Sequence, residues 1–162
     1  MISRLILFFA LLFSVTGEGI AQAEVVHWSA DRTKVNRLTK IVELRGNAHL
    51  SRNDEDVQAD EIDYDQTTQI VNARGRVQYR YSSYFVKADQ IEVDLLHKTG
   101  VITNGNLTNG MFALRGSKIE QLSSDRMLVK NFDYTTCMDC PNAWEMTGQE
   151  VDLTVDGYAH IK

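Results

Sequence analysis

From Val57 the chain reads VQADEIDYD, and from Val86 it reads VKADQIEVD, 86 − 57 = 29 residues later. Apolar residues recur there at every second position: Val57 and Ala59, then Ile62 and Tyr64; Val86 and Ala88, then Ile91, Val93 and Leu95. Successive side chains of a strand point to opposite faces, so this spacing predicts strands with one buried face. Between the small residue and the next apolar one the phase slips by a residue. Such a slip throws side chains to the wrong face unless a bulge or corner absorbs it. The slip falls at Asp60-Glu61, Asp89-Gln90, Ser117-Lys118 and Gln149-Glu150, all polar and suited to a solvated bend.

The same form, apolar then small two positions on, starts at Trp28, Val57, Val86, Leu114 and Met146, at separations of 29, 29, 28 and 32. RGNAHL at Arg45, RGRVQY at Arg74 and NGNLTNG at Asn104 alternate with it, and are read as turns. A period of this length marks a supersecondary unit that buries its apolar side only by stacking on its neighbours. Helical periodicity is absent after the first two dozen residues, Pro141 is the single proline, and KIEQLSSDRML from Lys118 is taken as extended. The expected fold is all-β: a bent, elongated β-jelly roll or stacked β-coil of repeated strand pairs.

Small residues at a fixed rung (Ala30, Ala59, Ala88, Gly116, Gly148) allow two readings, a dry packed core or a trough where larger side chains would have stood. Unpaired strand edges at the ends of such a stack invite pairing with another chain.

Composition changes the picture mainly at the start. Arg4 precedes the apolar run LILFFALLFSV, and Ala21-Gln22-Ala23 closes the segment. The run is too short to span a bilayer, so residues 1–23 read as a secretory signal peptide and 24–162 as one exported domain. Losing Arg4 and Glu18 together leaves the net charge at −5, and no basic stripe points to nucleic acid.

Candidate chemistry adds little. Cys137 and Cys140 form C-x-x-C, but in a loop between strands rather than opening a helix, which leaves a local disulfide or partners elsewhere. Zinc would require two further ligands at a compatible spacing, and His27, His49, His97 and His160 are scattered. The acidic run NDEDVQADEIDYD lacks the glycine and closing Glu of a calcium loop and reads as a solvated turn. No nucleophile, phosphate or metalloprotease motif is present, so neither enzyme, metal nor cofactor is expected. A carbohydrate-active β-helix would need a cleft of acids and aromatics.

The V-x-A-D strands, the RG segments and above all FDYTTCMDCPNAWEMTGQEVDLTVDGYAHIK resemble the OstA domain of lipopolysaccharide transport proteins, most like the periplasmic amino-terminal domain of the lipopolysaccharide-assembly protein LptD. The resemblance covers roughly residues 26–162. It implies a bent jelly roll in the periplasm that holds lipid A acyl chains and passes lipopolysaccharide toward the outer membrane. On the family's pattern the groove would be lined by Val57, Ala59, Ile62, Tyr64, Val86, Ala88, Ile91, Val93, Leu114, Ile119, Val151 and Leu153. A periplasmic bridge protein like LptA would pair with an edge strand carrying Val26, Trp28 and Ala30. An outer-membrane barrel and its plug lipoprotein would be further partners, the barrel following Lys162. Cys137 matches the family's loop cysteine, which pairs with barrel cysteines; Cys140 has no sure counterpart. A stand-alone LptA-like bridge protein and a purely structural β-solenoid are the alternatives.

Overall fold

The computed structural model describes residues 25–123, 125–136, 144–154 and 159–161. Eleven strands follow one another: β1 (His27–Ser29), β2 (Arg32–Asn36), β3 (Ile41–Arg52), β4 (Glu55–Asp65), β5 (Ile70–Tyr81), β6 (Tyr84–Asp94), β7 (Thr99–Thr108), β8 (Ala113–Gln121), β9 (Arg126–Thr135), β10 (Met146–Thr154) and β11 (Ala159–Ile161). They form one antiparallel sheet in which each strand from β3 onward pairs with its neighbours in sequence. Short β1 and β2 both pair with β3, on either side of its middle. The 29-residue period is therefore one hairpin of two long strands.

The hairpin connections repeat with it. At one end Asn36, Asp65 and Asp94 each accept two backbone N–H groups, from residues two and three positions on. The same turns close on Lys40, Gln69 and Lys98, all left-handed with φ of 60°, 58° and 56°. Asx side chains that mimic a backbone turn favour this geometry.

Between β3 and β6 the pairing register skips at the strand centre, and between β6 and β10 the pairing is interrupted at the corresponding place without a change of register. Gly46-Asn47, Gly75-Arg76, Asn104 and Asn131 have positive φ there. The RG segments, read from sequence as turns, are thus corners within β3 and β5. A Cβ on Gly46 or Gly75 would stand 2.5 Å from the carboxylate of Asp31 or Asp60, so glycine is required by space as well as by φ. The Asp of V-x-A-D is the receiving half of this corner. Asn47 Nδ2 donates to Asp31 Oδ2 at 3.0 Å, Arg76 Nε to Asp60 Oδ1 at 3.0 Å, and Asn104 Nδ2 to Asp89 Oδ2 at 2.8 Å. Asn131 Nδ2 donates to Ser117 Oγ at 2.9 Å. The bend predicted at the phase slip is borne out, and its partner lies on the adjacent strand.

The corner row divides the sheet into two leaves with facing inner surfaces. The first leaf holds Val42, Tyr64, Val71 and Val93; the second holds Leu50, Val57 and Val77. All seven are buried in a single cluster spanning β3–β6. A second cluster, around Val86, Leu114, Ile119, Phe132 and Val151, occupies β6–β10, and Tyr79, Ala88 and Ile102 pack against both.

Three carboxylates of the turns and corners are held below their ordinary range: Asp60 by the Arg76 guanidinium, Asp65 by the Thr67 and Thr68 N–H groups, and Asp94 by the His97 N–H and ring. A depressed carboxylate stabilises the fold above its unfolded pKa, and the contribution disappears as pH falls through the folded value. Thermal stability is expected to be flat from pH 7 to about 5 and to decline below about 4. Replacing all three by Asn should flatten that acid decline in a melting series; an equally steep decline would place its origin elsewhere.

Candidate apolar cleft

The leaves stand apart over β8–β10, leaving a cleft of about 310 Å³. Leu114, Phe132, Tyr134 and Met146 line it from the second leaf, with Tyr84 and Phe112 at its rim. Met127, Val151, Leu153 and Thr154 face them from the first leaf. The wall is almost wholly apolar: its polar atoms are those of two tyrosines and a threonine. Phe112 and Tyr134 pack with centroids 5.7 Å apart and Tyr134 and Trp144 with centroids 5.9 Å apart, an aromatic rim of tilted rings. A wall of this kind suits a predominantly apolar occupant.

All twelve residues expected to line a groove point inward. Leu114, Val151 and Leu153 reach the cleft. The other nine belong to the packed interior: Val57, Ile62 and Ile91 are fully buried, Ala59, Tyr64, Val86, Val93 and Ile119 nearly so, and Ala88 is half-buried. The small-residue rung leaves no trough there. A Cβ added at Gly116 would lie 2.6 Å from Val129 Cγ1, and one at Gly148 2.5 Å from Phe132 Cε1. The space a glycine vacates is filled by a bulky neighbour in close packing. The lining expected from sequence left out Tyr84, Phe112, Met127, Phe132, Tyr134, Met146 and Thr154. A signal existed for Phe132 and Tyr134: they follow the corner residue Asn131 at the offsets at which Ala48 and Leu50 follow Asn47.

At the opposite end β1 and β2 form an exposed edge. Trp28 is 37% exposed, while Val26 and Ala30 pack against the first cluster. Between the two ends lies a polar cluster: Lys98 Nζ donates to Glu55 Oε1 at 2.6 Å and sits 5.2 Å from the Tyr81 ring. Burial, and next the Glu55 charge, push the Tyr79 hydroxyl far above its ordinary range, so it stays neutral. The acidic run read from sequence as a solvated turn is mostly strand β4, because its alternate residues Val57, Ala59, Ile62 and Tyr64 are buried. Its acids pair on the outer side: Asp56 with His49, Asp60 with Arg76, and Asp63 with Arg45 and Arg74. No group of three potential metal ligands gathers among the described residues. The proposed signal peptide and the Cys137–Cys140 loop lie outside the described residues.

Residues 19–70 match the family of LptA/(LptD N-terminal domain) LPS transport proteins. The matched segment carries two of the repeats, Trp28 and Val57, and the first corner. Compared with curated proteins, the sequence matches none. Among solved structures, the fold resembles LptH of Pseudomonas aeruginosa, described as the LptA-homologous periplasmic component of the lipopolysaccharide transport device. The TM-score is 0.61 at 11% identity, over 76% of this chain and 94% of LptH. At that identity the likeness is one of fold, and it bears out the bent all-β architecture beyond the family segment.

Proposed function

We propose that this chain, exported by a signal peptide ending at Ala23, works in the periplasm as a non-enzymatic carrier in lipopolysaccharide transport. Acyl chains enter the cleft over β8–β10, and the β1–β2 edge pairs with an LptA-like bridge protein. The observation that carries the reading is the open apolar cleft inside a sheet of the LptH type. Each methylene moved from water into such a wall contributes roughly 0.8 kcal/mol, so part of one tail supplies several kcal/mol without any catalytic group.

Two placements in the transport path remain open to this domain. As the periplasmic part of an LptD-type protein it would hand lipopolysaccharide to a barrel with its plug lipoprotein. As a bridge protein it would relay lipid between copies, and the family match and the fold likeness support the two placements equally.

Leu153→Arg tests the carrier role itself. A guanidinium facing the cleft has to be desolvated when a tail enters, at a cost above about 1.4 kcal/mol, and lipopolysaccharide binding should fall at least about tenfold in a fluorescence titration. Unchanged binding by a folded variant would exclude the cleft. Absence of binding by the unaltered protein would favour a structural solenoid.

A further inference from the structure

The free edge and the cleft lie at opposite ends of the sheet, and between them the interior is shut: Leu50, Val57, Ile62 and Val71 have no exposure. Lipid arriving at β1–β2 has to cross this half to reach β8–β10. A path is already laid down in the register. Leu50, Val57, Tyr79, Val86, Leu107 and Leu114 are successive cross-strand partners, an unbroken row along the second leaf from edge strand to cleft. What closes the row is the first leaf lying over it.

The leaves are continuous along the corner row, so they can part only at the opposite side, where the turns are. Among the described residues, polar links that bridge that side include the following two. Lys98, in the turn after β6 on the first leaf, donates to Glu55 at the start of β4 on the second, 43 residues away in the chain. Beside it Arg52 Nη1 donates to the Leu95 carbonyl oxygen at 3.3 Å. Glu55 is buried with its side chain 2% exposed, whereas Lys98 keeps 41%. A buried carboxylate depends on its partner, yet an ion pair is a weaker fastening than an apolar contact of the same size. Water reaching Glu55 as the leaves separate would repay part of the broken attraction, so such a link opens more readily than packed hydrocarbon.

We propose that the Lys98–Glu55 pair is the latch on the lipid path. Closed, it ends the lipid-accessible space at the cleft; open, it lets the leaves part, and the row from Leu50 to Leu114 becomes one trough. This rests on the carrier reading above, and it assigns a role to the inward residues that are sealed at rest.

The test uses the full chain with a diazirine leucine analogue at Leu50, in the sealed half, or at Leu114, in the cleft, exposed to lipopolysaccharide micelles. Glu55→Gln with Lys98→Gln removes both charges; Lys98→Arg keeps the pair. Capture at Leu114 should be equal in all three proteins. Capture at Leu50 should rise about tenfold in the charge-free variant, as a decade's shift toward the open state requires, and stay at the original level with Lys98→Arg. Should the charge-free protein fail to give native circular dichroism, Glu55→Gln alone, which leaves only the half-exposed Lys98 ammonium without its carboxylate, is measured in its place with the same expected rise. Unchanged capture at Leu50 in the folded variant, or a rise with Lys98→Arg as well, overturns the latch while the carrier stands. Capture at neither position in any protein overturns the carrier reading and the latch with it.

Discussion

Phe132→Ala is expected to destabilise the domain by about 3–5 kcal/mol, the range for truncating a large buried aromatic, and to lower the melting temperature by on the order of 10 °C. Among the described residues Phe132 is the largest side chain that is buried completely, and it sits at the floor of the cleft. Its cross-strand partners at this rung are Gly116 and Gly148, which have no side chain to move into the vacated volume. The loss should be coupled to Gly148. A methyl group there would meet the Phe132 ring edge at 2.5 Å, so Gly148→Ala alone is destabilising and is relieved once the ring is gone. The double variant should then lose clearly less than the sum of the single changes, as contacting residues do. Strictly additive losses in denaturant titrations would mean that ring and glycine do not share this space. Lipopolysaccharide binding by a folded Phe132→Ala protein need not fall, because the change widens an apolar site.

The second large effect is expected at the opposite end. Trp28 stands opposite Leu50 and begins the apolar row of the second leaf at the unpaired edge. A strand added there by a bridge protein would cover its exposed third and continue the row. Aromatic anchors at interface centres contribute about 2–4 kcal/mol, so Trp28→Glu should weaken docking of an LptA-like partner by roughly 30-fold to 1000-fold. Surface plasmon resonance with the variant immobilised reads this directly. The melting temperature should change little, since β1 has three exposed residues and pairs with β3 alone. Full affinity in a folded Trp28→Glu protein would show that the partner meets another surface.

The two variants also separate functions that reside at different ends of one sheet. Phe132→Ala acts on the fold around the cleft and leaves the β1–β2 edge as it was. Trp28→Glu acts on docking and leaves the cleft as it was. A chain whose transport role depended on a single site would lose both readouts together.

Much of this architecture is readable in the letters, because the information is local. Val57, Ala59, Ile62 and Tyr64 alternate with a slip at Asp60, and in β4 and β6, the two strands with the full V-x-A-D pattern, the register skips at that place. Recurrence of the pattern after 29 residues specifies a hairpin, and inward orientation of all twelve proposed lining residues follows from side-chain alternation. The RG segments were open to misreading, since a left-handed Gly-Asn or Gly-Arg pair serves a turn or a corner equally well. Only pairing to Asp31 and Asp60 on the neighbouring strand distinguishes the two.

By itself, then, the sequence determined an all-β chain of bent hairpins with one apolar face, a fold in which period two and its slip leave few alternatives. Whether that face encloses a solid interior or an opening was decided in three dimensions. The distance between leaves depends on what meets across them, as Lys98 meets Glu55 43 residues away, and whether a rung is filled depends on neighbouring strands, as the Phe132 ring fills the space beside Gly148. Close packing is a property of such long-range sets, and no alternation along a single strand encodes it.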